Sequence, residues 1–379
     1  MLELIKTQSR APGECLIHIG DAEIVDLYPF LMEVTVDTAR EAASEAVLKF
    51  ETRRDLDGSW IVQDDDRIRP WKPLRIEAAF GDETEEVMRG YIRQIDVSFP
   101  EDTGGATVTL AVQDDSLALD RTARTEAWGA EGRTTDQAIV TDILSRNDLV
   151  PEGMPALGQT DLAVTQDDTD AAFLRKRAEV NGFELIYRRG AVYFGPRRLT
   201  AAPQATVKVY AGPDTTCLSF AVTDDGMKPD GVEYDVASAE GARTETRRLA
   251  PNLDALGPEP ASSVAALDDG FVWKIRKEGE SDAAKAETLA QEKANANAMK
   301  ISGKGVLDGA LYGHVLLTGL PVGVDGVGNR HSGIWYVDRV RHVFDTTGYR
   351  QEFELQRNAY GDNLPETGDP LARLRGVGT

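Results

Sequence analysis

The residues with the most chemical promise lie in the run GLPVGVDGVGNRHSG, residues 319–333. Its glycines could cradle a phosphate, but the Lys-Ser/Thr ending is missing. Strand patterns also flank it on both sides, where a phosphate loop needs a following helix. The run therefore reads as a long β-hairpin loop. Asp55, Asp57 and Gly58 open like a calcium loop, yet the later oxygen ligands and the closing glutamate are absent. The four histidines, His18, His314, His331 and His342, form no HExxH or Cys/His cluster, although His331 and His342 could approach across a hairpin. No G-x-S-x-G elbow is present. The carboxylates are too many and too evenly spread to single out a hydrolase pair. Cys15 and Cys217 are too few for a disulfide framework, lack metal-ligand spacing and read as small buried hydrophobes. No catalytic, cofactor or metal site is expected from these residues.

Composition narrows the classes further. A chain of 379 residues has room for two to four domains, and its 41% hydrophobic and 28% charged residues are ordinary for a globular protein. No run approaches the roughly 20 apolar residues of a membrane span. The start MLELIKTQSRAPGE lacks a signal-peptide core. The expectation is a protein made and kept in the cytoplasm unless it leaves within an assembly. The net charge of −22 repels phosphate backbones. The basic pairs Arg53-Arg54, Arg188-Arg189, Arg197-Arg198 and Arg247-Arg248 are short and flanked by acids. Nucleic-acid binding and membrane insertion are not expected.

The elements come next. Up to about residue 125 the pattern is antiparallel β: Met32, Val34 and Val36 alternate, then Leu74, Ile76, Ala78 and Phe80, then Val108, Leu110 and Val112. Turn clusters at Asp57-Gly58, Gly81-Asp82 and residues 102–105 separate them, which suggests a small barrel or sandwich. Residues 38–46 read as a helix between strands. From 126 to 198 the character changes to a compact α/β insert. Thr134 and Gln137 make a candidate capping box ahead of Ile139, Ile143 and Leu144.

Within the insert, DTDAAFLRKRAEVNGFELIYRRGAVYFGP, residues 168–196, holds a helix, a stop and a hairpin. Phe173, Leu174 and Ala178 share a helical face, with Asp168 and Asp170 favouring its N-terminal dipole. Asn181-Gly182 ends the helix with a left-handed cap. Phe183, Leu185 and Tyr187 then alternate, Arg189-Gly190 turns, and Val192 and Phe194 alternate again. Strand patterns return at Val207, Val209, Cys217, Phe220 and Val222. A linker of low order over 240–263 follows, and then a helix capped by Ser281. Ala283, Ala286, Ala290, Ala294 and Ala298 form one stripe on it, read either as a close-packing face or as plain helix propensity. A last β block runs over 313–357, with Trp335, Val337, Phe353 and Leu355 as core candidates, and residues 361–379 read as a tail.

The order of residues in 168–196 resembles the inserted domain of phage tail hub proteins, the late control protein D family of contractile tails and bacterial injection systems. The resemblance rests on Phe173-Leu174, Asn181-Gly182-Phe183 and Phe194-Gly195-Pro196. Two further stretches match it: Gly81 with Arg89, Gly90, Ile92 and the pair Asp114-Asp115, and Gly333, Tyr336, Val337 and His342 with Gly348-Tyr349 and Arg357-Asn358. It covers about residues 5–360 and fits less well over 240–280. The resemblance implies a mainly β fold with an α+β insert: two tail-tube-like antiparallel β-barrels plus a helix/hairpin domain. The implied domains are 1–125 for the first barrel, 126–198 for the insert, 199–360 for the second barrel interrupted at about 240–300, and 361–379 for the tail. Its structural motif positions fall on Gly81, Gly90, Asp114, Phe173, Gly182, Phe194, Gly333, Tyr336, Val337, Gly348 and Arg357.

The implied role is structural, with no enzyme activity and no cofactor. A homotrimer would present six barrels, adapting the six-fold tail tube above to the three-fold spike below. Baseplate proteins, with the tape measure as a further candidate, complete the implied partners. The chain lacks the oligonucleotide-binding-like domain and β-needle of fused hub-spike proteins, so a separate spike is implied. The location implied is the cytoplasm and then the assembled particle. Acidic charge on a lumen wall would keep polyanionic cargo from adhering. The two β blocks should be related, with Ile76, Ile92 and Leu110 matched by Leu316, Val337 and Phe353. Two other readings stay open: a tail-tip cell-wall hydrolase using insert carboxylates, and a glycan-binding module using Trp60, Trp71 and Trp128.

Overall fold

The computed structural model describes residues 13–101, 105–130, 132–237, 244–263, 270–275 and 283–364. The chain opens with β1 (Gly13–Ile19), β2 (Ala22–Glu23), a 3-10 turn, β3 (Leu31–Ala39) and β4 (Ala42–Thr52). After a looped excursion come β5 (Pro73–Phe80), β6 (Glu83–Ser98) and β7 (Ala106–Asp114). They pair in the order β3-β4-β7-β6-β5-β1-β2, all antiparallel. Alternation builds the core: Val34, Val36, Leu48, Phe50, Ile76, Ile92, Leu110 and Val112 point to one side and are buried together. The helix expected over 38–46 is instead the turn and strands of the β3–β4 hairpin. Its alanines and glutamates favour helix only weakly, and burying Ala46 and Leu48 against Val112 and Leu110 of β7 outweighs that preference.

The insert follows β7. It comprises α1 (Ser116–Leu119), β8 (Ala123–Trp128), α2 (Asp136–Arg146), β9 (Val150–Pro151), β10 (Val164–Thr169), α3 (Asp170–Asn181), β11 (Glu184–Arg188) and β12 (Ala191–Gly195). Its core unites Leu119, Trp128, Ile139, Ile143, Leu144, Phe173, Leu174, Ala178, Val192 and Phe194. The cap of α2 is Thr135, which accepts from Ala138 N–H at 3.2 Å. This is one residue later than the Thr134–Gln137 box, and Gln137 donates instead to Pro155 O. Thr169 caps α3 in the same way. Gly182 ends α3 at φ +65°, and Arg189 (φ +53°) with Gly190 (φ +72°) turns the β11–β12 hairpin.

The second β block starts with β13 (Gln204–Lys208) and β14 (Cys217–Asp224). A side layer then intervenes: β15 (Gly231–Ala237), β16 (Thr244–Leu249), β17 (Glu259–Pro260), β18 (Val272–Ile275) and α4 (Ala283–Ala298). The block resumes with β19 (Ile301–Asp308), α5 (Gly309–Tyr312), β20 (Pro321–Asp325), β21 (Gly333–Asp345), β22 (Gly348–Arg357) and β23 (Ala359–Tyr360). Part of the expected linker is thus strand: β16 pairs with β15 through Val232↔Leu249 to Ala237↔Thr244, while its side chains stay largely exposed and give little periodic signal. The alanine stripe is a packing face, since Ala290 and Ala294 are buried against Val232 and Tyr234 of β15. Ser281 and most of 361–379 lie outside the described residues. The glycine-rich run contains β20 itself, so only residues 326–332 form the hairpin loop to β21.

The second block orders its strands β14-β19-β22-β21-β20-β13. Strand for strand this repeats β3-β4-β7-β6-β5-β1, taking β14 for β3, β19 for β4, β20 for β5, β21 for β6, β22 for β7 and β13 for β1. The bulges repeat as well. Arg93 is the extra residue between Ile92 and Gln94 opposite β7, and Asp338 is the extra residue between Val337 and Arg339 opposite β22. Met32 bulges in β3 and Leu218 in β14. This register places Val337 on Ile92 and Phe353 on Leu110. Val324, not Leu316, takes the place of Ile76, because Leu316 lies in the connection before β20, where its N–H donates to Gln351 Oε1 at 2.8 Å. The outer strands differ: β1 is antiparallel to β5, whereas β13 is parallel to β20. Each sheet curls into a half-barrel, and β3 pairs with β21 to join the two into one continuous sheet of 13 strands.

Candidate assembly interface

The seam between the halves is six residue pairs long, from Arg339↔Ala39 to Phe344↔Val34. It is possible because β21 is long. Its first residues, 333–336, pair with β20, and the rest of the same edge is left for β3. The Asp338 bulge re-aims the strand between the two partners. Arg40 N–H donates to the bulge carbonyl of Asp338 at 3.0 Å, and Arg40 Nε reaches Asp338 Oδ1 at 3.1 Å.

The insert is anchored on this seam by charge. Arg40 Nε lies 3.4 Å from Glu184 Oε1, and Tyr336 Oη donates to Glu184 Oε2 at 2.7 Å. Burial raises the Glu184 pKa against the pull of Arg40 and the Tyr336 hydrogen bond. Glu152 binds both Arg188 and Arg198 at 2.6 Å, while those arginines also donate to Thr318 O and Gly319 O of the second block. Burial works against the Glu152 carboxylate, but the two guanidiniums hold its pKa below the ordinary value.

One face of the continuous sheet packs on the cores, and the other is polar. A single row crosses it through Ser219, Val306, Glu352, Arg341, Asp37, Glu45 and Gln113, each paired with the next. Ion pairs span this face at Lys304–Glu354 (2.9 Å), Arg339–Asp37 (2.7 Å) and Arg93–Glu45 (3.2 Å). Surface pairs of this kind add little stability. They keep this broad polar face hydrated.

The motif residues take the following places. Gly81 (φ +69°) and Gly348 (φ +113°) turn the β5–β6 and β21–β22 hairpins. Gly90 lies where a Cβ would collide with the Gln113 carbonyl. Asp114 is buried and accepts from Ser44 N–H (2.6 Å), Ser116 N–H (3.1 Å) and Ser116 Oγ (2.6 Å), tying β4 and α1 to β7. Phe173 stacks on Trp128 at 6.3 Å, and Phe194 meets Phe183 edge-on at 5.4 Å. Gly182 caps α3 beside Glu292 of α4, and Gly333 (φ +131°) leaves room for the Arg357 guanidinium. Tyr336 reaches Glu184, and Val337 is fully buried. Arg357 is buried too, donating to Ser332 O (2.9 Å), His331 O (3.0 Å) and Leu256 O (3.2 Å). Burial lowers its pKa to about 10.

These positions organise the fold and do not converge on one cleft. His331 and His342 do not meet: His331 faces Asp224 at 3.3 Å, whereas His342 is buried beside Tyr349 Oη at 2.9 Å. The buried insert carboxylates each engage an arginine, Asp136 with Arg177 at 2.5 Å and Asp170 with Arg146. Among the three tryptophans, Trp128 is buried between Arg133 and Arg146. Arg121 covers Trp71 at 4.8 Å, and Trp60 packs on Phe99 at 5.0 Å. Among the described residues, no helix is long and apolar enough to cross a membrane. The residues that sequence reading missed are the bulges, Arg40 and Glu184. The bulges did leave a signal, since apolar residues fall three apart at Ile92–Ile95 and Val337–Val340, breaking the period of two.

A half-barrel repeated within one chain, with an α/β insert on the seam, defines the tail-tube-like β fold. The family model described as the Alg8 N-terminal domain matches residues 14–345, and the chain belongs to that family. Among solved structures, the 43 kDa tail protein of prophage MuSo2 from Shewanella oneidensis aligns at TM-score 0.66 and 12% identity, covering 91% of this chain and 98% of that one. The tail protein from Neisseria meningitidis MC58 aligns at TM-score 0.60 and 14% identity, covering 92% and 97%. The E. coli c3393 protein, a component of the type VI secretion system, aligns at TM-score 0.52 and 11% identity, covering 88% and 76%. These likenesses establish the shared fold. No curated protein matches by sequence.

Proposed function

We propose that the chain is a structural hub of a contractile phage tail or injection system, of the late control protein D type. It acts as a homotrimer joining the six-fold tail tube above to the three-fold spike below. Baseplate proteins surround it, and the assembled particle is its final location. The observation that carries this reading is the internal repeat: two half-barrels with one strand order and matching bulges, joined edge to edge through β21 and β3. A subunit built this way offers two similar docking rims, so three copies offer six. The likeness in fold to prophage tail proteins supports the same reading. The domains follow as two half-barrels, one from β1 to β7 (Gly13–Asp114) and one over about 199–360, flanking an insert that starts at α1 (Ser116) and runs to about 198. The motif glycines and Arg357 serve as packing and turn positions. Copy number tests the proposal. Quantitative mass spectrometry of purified particles should find three hub chains per particle, one for each chain of the three-fold spike, and six copies per particle would overturn it.

A further inference from the structure

The repeat leaves one seam unmatched inside the chain. In the second block, the later half of β21 is filled on its β20 side by β3. In the first block, the corresponding half of β6, residues 94–98, pairs with β7 on one side, while its β5 side carries no strand among the described residues. The counterpart of β3 is β14, which pairs with β19 and leaves its other edge free among the described residues. One chain therefore holds one filled seam and the two halves of an identical unfilled seam.

We propose that β6 of one copy pairs antiparallel with β14 of a second copy, repeating the β21–β3 seam between subunits. This rests on the hub reading above and names its subunit contact. The register follows from the matched bulges, which align Ile92 with Val337 and Leu218 with Met32. Arg341 faces Asp37 and His342 faces Val36 within the chain. The same geometry sets Asp96 opposite Thr223 of the second copy and Val97 opposite Val222. Phe99 then comes opposite Phe220, as Phe344 does opposite Val34. Gly226 falls where Arg40 sits, beside the carbonyl of the bulge residue Arg93.

Three observations favour a second copy as the occupant. Val97 and Phe99 are 38% and 59% exposed, whereas His342 and Phe344, their counterparts at the filled seam, are 1% and 7% exposed. An edge that shows unpaired backbone beside exposed apolar side chains is a template for strand addition; here Trp60 packs on Phe99 at 5.0 Å yet leaves it 59% exposed, and no lysine lies in residues 94–99. Charge is complementary as well, because Arg93, which lies 3.2 Å from Glu45 within the chain, comes beside the stretch that carries Asp225. The contact is head to tail, so it closes a ring when the rotation permits. With a filled and an inter-subunit seam alternating, three chains form six equivalent seams around the polar sheet face.

Cysteine crosslinking of the full chain tests the pairing. Asp96→Cys with Thr223→Cys places both thiols on the exposed polar face, in register. Asp96→Cys with Ser219→Cys keeps the face but moves four residues out of register. The parent, with Cys15 and Cys217, supplies the background. Under oxidation the in-register pair should yield covalent dimer and trimer with no larger species, and the out-of-register pair should fall to background. Native mass measurement on the same samples separates the two claims. A trimer that crosslinks out of register, or not at all at 96–223, overturns the strand pairing and leaves the hub reading standing. A chain that is monomeric at every concentration and in the recovered particle overturns both.

Discussion

Ile92 of β6 and Val337 of β21 occupy the same position in two copies of one sheet. Each faces an apolar partner, Val112 or Leu355, and each is followed by a single bulged residue, Arg93 or Asp338. A bulge increases local twist and bends its strand. Two at matched positions bend the two half-barrels alike, which lets β21 pass from one partner strand to the next.

Gly90 lies just before this bend, packed against the Gln113 carbonyl of β7. Gly90→Ala should destabilise the first half-barrel by about 1–3 kcal/mol through overpacking. Urea unfolding of the purified chain checks this, and an unchanged midpoint would show that β6 and β7 can separate at no penalty.

Phe173 is buried against Trp128 in the insert core. Phe173→Ala should lower insert stability by roughly 3–5 kcal/mol. Tryptophan fluorescence during unfolding reports it, because Trp128 is the partner. A variant that melts like the parent would contradict the packing of α3 on the hairpin.

The insert was largely legible in sequence because its signals are local. Gly182 at a left-handed cap and Arg189-Gly190 at a tight turn are each dictated by a few neighbouring residues. The half-barrels were legible as strands through alternation, but not in their partnerships. Pairing of β3 with β21 joins residues about 300 positions apart, such as Thr38 and Val340, and nothing local encodes it. Residues 38–46 failed for the same reason: a modest helix preference yielded to distant partners on β7. The network of Arg40, Glu184 and Tyr336 draws one residue from each of three units, so no spacing announces it.

His342 is fully enclosed, and burial lowers its pKa from an ordinary value of 6.5 to about 3. The unfolded chain therefore binds a proton that the folded chain refuses between those values. Stability is intact above about pH 6.5 and declines as pH falls toward 3, by an amount on the order of a few kcal/mol. His342→Gln should flatten that part of the acid profile in thermal melts at several pH values. An unchanged slope would place the acid sensitivity elsewhere.

Arg357 satisfies backbone carbonyls of His331, Ser332 and Leu256 from inside the second half-barrel. Arg357→Ala leaves those carbonyls without their donor, at about 1–3 kcal/mol for each group that water cannot reach. Hydrogen exchange should rise in residues 326–335 and 356–361 and stay unchanged in the insert. Uniform loosening of the whole chain would contradict this local role.

The most direct test of the central claim is the symmetry of the particle layer that contains this chain, measured by cryo-electron microscopy without imposed symmetry. The account predicts a three-fold layer in which each chain supplies two successive half-barrels, six in all, beneath a six-fold tube. A layer with six copies related by a true six-fold axis, or with any symmetry other than three-fold, would contradict it.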